Sequence, residues 1–166
     1  MTAPVQISGR YGGGITVSPM TRDVAQAEPM VVRHVFARWS IAIPLDFAES
    51  FVAKDEYWHA WDERRSVSLT SLILSDRRGR PVSADRIVKQ IPAERGERVA
   101  MPAGLDGWAA VVTPPQPARA SRAISGIIAV DGAVLAATVT SDDLAWATAV
   151  WLSIHRRPAP STSAGP

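Results

Sequence analysis

Histidine titrates near neutral pH and ligates metals, so His34, His59 and His155 are the first side chains in this chain to weigh for chemistry. They lie far apart, in different predicted elements, and only His59 has carboxylates close by, Asp62 and Glu63. On a helix, residues three and four apart share a face, which would pair His59 with Asp62 or Glu63 for acid–base or ligand work. A metal needs further donors and none is marked, so a polar surface turn is expected there, with no metal. Gly12, Gly13 and Gly14 are followed by the strand-like Ile15, Thr16, Val17 and Ser18, where a phosphate loop needs a helix and a Lys-Ser/Thr pair. A flexible turn is the better expectation. No Gly-x-Ser-x-Gly elbow occurs, and Ser125 and Gly126 fall inside a predicted strand, where glycine marks a bulge or a close backbone approach. Cysteine is absent, which removes disulfides, thiolate ligands and a thiol nucleophile together. No catalytic, cofactor-binding or metal-ligating residue is assigned, and a non-enzymatic chain is expected.

The most unusual stretch is Tyr57, Trp58, His59, Ala60, Trp61, Asp62, Glu63, Arg64 and Arg65. Two tryptophans three apart would share one helical face beside a dense set of charges. Trp and Arg are the residues most enriched at binding hot spots, because they bury large areas and hydrogen-bond at the rim. Trp58, Trp61, Asp62, Arg64 and Arg65 are therefore the candidate partner-binding residues, against the alternative that one or both tryptophans close the core. Trp39 and Trp151 lie on regular apolar faces and are expected to be core.

Composition narrows the class. The chain has 166 residues, 46% hydrophobic and 20% charged, enough for one globular core and too few for two. Mean hydropathy is +0.02, which fits neither a disordered tail nor an integral membrane protein. No apolar run is long enough to span a bilayer, and the first 25 residues lack a basic start followed by an apolar stretch. No membrane insertion and a cytoplasmic location are the expectations. Of eighteen basic residues only Lys54 and Lys89 are lysine, so the pI of about 9.5 reflects arginine usage more than a strong field, net charge being +2. The arginines form short clusters near acids or at a chain end, without the dense stripe of a nucleic-acid binder, and nucleic acid is not an expected partner.

These side chains need elements to position them. Residues 1–29 read as a weakly ordered lead-in and 158–166 as a flexible tail, with one α+β domain over 30–157. Residues 31–45 predict one strand with Val35, Ala37, Trp39, Ile41 and Ile43 on one face, ended by Pro44. Residues 46–64 read as helical or loop-like. Residues 66–74 predict a strand, Ser83 a cap for a short helix carrying Ile87, Val88 and Ile91, and 93–106 a polar loop. Residues 108–112 predict a short strand, followed by a stiff connector at Pro114, Pro115, Gln116 and Pro117. Residues 122–130 and 133–140 form a hairpin about Asp131 and Gly132. Ser141, as a capping hydroxyl followed by the acids Asp142 and Asp143, then opens a helix with Leu144, Ala147, Trp151 and Ile154 on one stripe, ending at Arg156, Arg157 and Pro158. The expected fold class is α+β: a single antiparallel β-sheet flanked by helices, with a C-terminal β-hairpin followed by a helix.

This layout resembles the PsbP/DcrB-like superfamily. The likeness is carried by the strand Trp39, Ser40, Ile41, Ala42, Ile43, Pro44 and Leu45, and by the closing hairpin over 123–140 with its helix over 142–154. The resemblance implies a three-layer sandwich that binds other proteins; members of the superfamily include photosystem accessory subunits, a small-GTPase regulator and chaperones that escort toxins to bacterial secretion machines. The expected function is a non-enzymatic, protein-binding domain, a bacterial accessory, adaptor, chaperone or immunity-type protein whose partner is another protein. Two alternatives stand beside it: a small-ligand-binding domain or enzyme with an unmarked pocket, and a structural subunit of a phage or secretion assembly.

Overall fold

The computed structural model describes residues 28–114, 120 and 122–157. The glycine run, most of the lead-in, the proline connector beyond Pro114 and the tail lie outside the described residues. Ten strands, two α-helices and one short 3-10 turn make up the described chain.

The first described elements are a hairpin of β1 (Met30–Val35) and β2 (Trp39–Pro44). The single strand expected over 31–45 is thus two, because the backbone reverses at Phe36, which adopts a left-handed φ of 56°. Of the expected face, Val35, Trp39, Ile41 and Ile43 are buried, while Ala37 is exposed in the turn; Ser40, on the other face of β2, is buried as well. Segment 46–64, expected to be helical or loop-like, is instead β3 (Ala48–Val52), a 3-10 turn (Ala53–Asp55) and β4 (Tyr57–Trp61). Its aromatics obey period two: Trp58 and Ala60 point inward, while Tyr57, His59 and Trp61 alternate to the other face. β5 (Ser66–Ile73) follows as expected, and α1 (Ala84–Gln90) has Ser83 at its N-cap position. The loop expected over 93–106 contains a two-residue strand, β6 (Glu97–Arg98), paired with β7 (Asp106–Val112).

β8 (Ala123–Val130) and β9 (Ala133–Thr140) form the expected hairpin, and Gly132 supplies the positive φ of its turn at 75°. α2 (Leu144–Leu152) is capped by Asp143 and not by the expected Ser141 hydroxyl: the Asp143 carboxylate accepts from the Ala145 and Trp146 N–H groups at 2.9 and 3.0 Å, while Ser141 Oγ accepts the Asp143 N–H at 3.1 Å. The helix ends earlier than the arginine pair suggested. Ser153 turns the chain, and His155 and Arg156 become β10 (His155–Arg156), which pairs with β2.

Strands dominate, all pairings are antiparallel, and there are two sheets where one was expected. The smaller has the order β1-β2-β10, the larger β3-β4-β5-β9-β8-β7-β6. The split follows from the reversal at Phe36: β2 finds its partners in β1 and β10 and leaves the edge of the large sheet to β3. The two sheets share one core, in which Trp39, Ile41 and Ile43 meet Trp58, Val67, Leu69, Ile124, Ile128 and the α2 residues Val150 and Trp151. The ion pair Arg33–Glu49 (2.6 Å) and the tilted rings of Phe36 and Phe51 (5.8 Å) tie the small sheet to edge strand β3. Gly126 leaves room for the Trp151 ring against β8; a methyl group there would lie 2.3 Å from the Trp108 carbonyl and 2.8 Å from the Trp151 ring. α1 covers part of the opposite face, over Ile127, Ala129 and Val134.

Candidate functional site

The five candidate residues separate once β4 is a strand. Residues three apart on a strand point to opposite faces, so Trp58 and Trp61 cannot form one patch. Trp58 is 5% exposed in the shared core, and its indole N–H donates to Glu49 at 3.2 Å. Trp61 is half-buried on the other face, stacked on His59 with ring centroids 4.8 Å apart. The same strand geometry corrects the helical pairing of His59 with Asp62 or Glu63.

Asp62 and Arg65 are drawn into an internal clamp. The turn after β4 closes on Asp62, whose Oδ1 accepts the Arg64 and Arg65 backbone N–H groups at 2.7 and 2.6 Å. Its Oδ2 accepts from Arg65 Nε at 2.8 Å. The other side of the guanidinium forks onto Glu28, with Nη1 to Oε2 at 2.7 Å and Nη2 to Oε1 at 2.5 Å. Arg65 also lies over the rings of Phe47 and Trp146, 5.2 and 4.6 Å from their centroids. One side chain thereby joins Glu28 ahead of β1, the β4–β5 turn, the β2–β3 connection and α2. Hydrogen bonds from Arg65 hold the Glu28 carboxyl below its ordinary pKa, outweighing burial. Burial resists ionisation of Asp62, but the Arg64 N–H and the Arg65 donors prevail and its pKa is also lowered. The Arg65 guanidinium is raised, chiefly by its bonds to Glu28. Arg64 alone of the charged candidates points outward, beside a hollow it shares with Ser141, Asp142 and Asp143.

What the large sheet presents on its other face was not seen as a unit from the sequence. Tyr57, His59 and Trp61 form a ladder along β4, with Tyr57 and His59 centroids 6.1 Å apart. Across the sheet, Ser50, His59, Ser68, Thr138 and Ser125 fall in one register row over five strands. Ser66, Thr70 and Thr140 flank that row, and Tyr57 Oη lies 3.2 Å from Ser68 Oγ. Among the described residues this region is not covered by either helix: α1 packs on the β7–β8 side and α2 on the opposite face. The face therefore offers three adjacent aromatic rings in a field of small hydroxyls. The signal in the sequence was the period-two alternation Tyr57, His59, Trp61 continued by Ser66, Ser68 and Thr70.

No protein-family model matches the chain, and no curated protein shows significant similarity to it. Function must be argued from these residues alone.

Proposed function

We propose that this is a non-enzymatic protein-binding domain that engages its partner through the face of the large sheet that carries Tyr57, His59 and Trp61. The Tyr57–His59–Trp61 ladder carries this reading. Tyrosine and tryptophan give large, stiff contact area at low entropic cost, and serine and threonine adapt their hydroxyls to whatever polar groups arrive. A strand holds the three rings at fixed spacing, so the surface is organised before a partner meets it. Of the original candidates, Trp61 stays in the interface and Arg64 stands at its margin. Trp58 supports the ladder from beneath, while Asp62 and Arg65 set the turn that ends β4. The PsbP/DcrB-like layout, whose members work by binding other proteins, belongs to the same proposal.

The test compares capture from native lysate by the wild-type protein and by a Tyr57→Ala, Trp61→Ala double variant. One stoichiometric protein retained by the wild type and lost by the variant is the expected result. The double variant should lose no more than about 2 kcal/mol of stability, since both rings are only half-buried. Trp58→Ala, by contrast, opens the core and should cost about 3–5 kcal/mol. Undiminished capture by the folded double variant would remove the sheet face from the interface.

A further inference from the structure

The turn between β5 and α1 concentrates positive charge around a single carboxylate among the described residues. Asp76 organises it: Oδ1 accepts the Arg78 and Arg80 N–H groups at 2.8 and 3.0 Å, and Oδ2 accepts from Arg80 Nε at 2.9 Å. Gly79 N–H closes on the Asp76 carbonyl at 2.9 Å, and Ser75 bridges to Pro81. Arg77, Arg78 and Arg80 are thereby fixed on a small hairpin, facing Arg86 on α1 across an open hollow of about 600 Å³. Leu74 and Val82 line this hollow with Gln90, and Asp76 is the one carboxylate in its wall. Asp76 pairs with Arg80 at 2.8 Å, while Arg77, Arg78 and Arg86 have no ion-pair partner among the described residues. Four arginines and one carboxylate line the hollow, so its wall carries a net positive charge that favours an anionic occupant.

We infer that this hollow receives an acidic peptide segment of the protein partner, an inference that rests on the protein-binding reading above. Charge complementarity selects an anionic occupant, and the arginine fork suits carboxylates in particular. The aliphatic lining from Leu74 and Val82 has a use for an apolar side chain set between acids, which a bare phosphate lacks. No aromatic ring lines the hollow to stack a base, so single-stranded nucleic acid fits it poorly. The chain's own lead-in is a poor candidate: residues 1–27 contain one acid, Asp23, against Arg10 and Arg22.

The experiment is fluorescence anisotropy with a labelled Glu-Glu-Leu-Glu-Glu peptide and the full chain at low ionic strength. Saturable binding that weakens with salt is expected, falling at least tenfold in an Arg77→Ala, Arg78→Ala double variant and less in the corresponding lysine variant, which keeps charge without the fork. Arg86→Ala, on α1, is the second variant and should weaken binding without touching the loop. Arg98→Ala, on edge strand β6 and outside the hollow, should bind normally. Tripolyphosphate displacing the peptide at lower concentration than unlabelled peptide does would overturn the assignment in favour of a phosphate ligand. Equal binding by wild type and both arginine variants would overturn it outright. Peptide binding that fails while lysate capture persists sinks this inference alone; capture that fails while peptide binds sinks the sheet-face reading.

Discussion

Truncating Arg65 removes together its fork to Glu28, its bond to Asp62 and its cover over Phe47 and Trp146. The guanidinium is 21% exposed and Glu28 35%, so solvent screens part of the attraction. We expect Arg65→Ala to lower stability by about 2 kcal/mol, and Arg65→Lys to restore less than half, because an ammonium cannot fork. The pH dependence has a definite sign. Glu28 and Asp62 both have folded-state pKa values below their ordinary ones. Their contribution is present above the unfolded values, about 4, and is lost as pH falls through the lowered folded values. The difference in Tm between wild type and Arg65→Ala should therefore be widest near neutrality and shrink in acid. A difference that stays constant from pH 7 to pH 3 would show that the rings, and not the carboxylates, hold Arg65.

Among the elements, the β8–β9 hairpin does more than join two strands. Asp131 sits in its turn and accepts the Ala84 N–H at 2.9 Å, acting as a cap for α1 from 47 residues away. Ser83 occupies the N-cap position but makes no side-chain bond to the helix. Gly132 N–H in turn donates to the Val82 carbonyl at 2.8 Å, so the tight turn and the helix entry hold each other. Asp131→Ala should cost about 1 kcal/mol, whereas Ser83→Ala should cost little, the reverse of what local capping rules suggest. Thermal melts of the two variants decide it. If Ser83→Ala proves the more damaging, Asp131 is not the cap. The same hairpin was legible in the sequence because Asp131 and Gly132 demand that turn whatever surrounds them. Its second task was not, since a bond across 47 residues leaves no local trace.

At the scale of the molecule, stability should be unevenly spread. β5, β9 and β8 lie in the middle of the large sheet, with Val67, Leu69, Ile124, Leu135 and Val139 buried beneath them. β3 is an edge strand whose five residues are all exposed, and β6 is an edge of two residues. Native-state hydrogen exchange should show the slowest amides in β5, β8 and β9 and the fastest strand amides in β3 and β6. Protection of β3 equal to that of β9 would mean that its open edge is paired in solution, and would point to self-association.

Period and turn chemistry determined much of this fold from the sequence alone. Residues 66–71 alternate, Asp131 with Gly132 sets a hairpin, and a helix opens after Ser141 with Ala147 and Trp151 on its buried side, although Asp143 is the cap where the Ser141 hydroxyl was expected. Those signals are local, resting on neighbouring dihedrals and on which side chains share a face, and they survive into the folded chain. The region 46–64 was misread because two tryptophans three apart fit a helical face, while the competing alternation of Tyr57, His59 and Trp61 reads equally well. What chose the strand was tertiary: β4 gains partners on both sides, in β3 and β5, and Trp58 gains the core beneath. The division into two sheets, the capture of Arg65 by Glu28 and the row from Ser50 to Ser125 were likewise decided only in three dimensions. Each joins residues distant in the chain, and strand register alone brings them together.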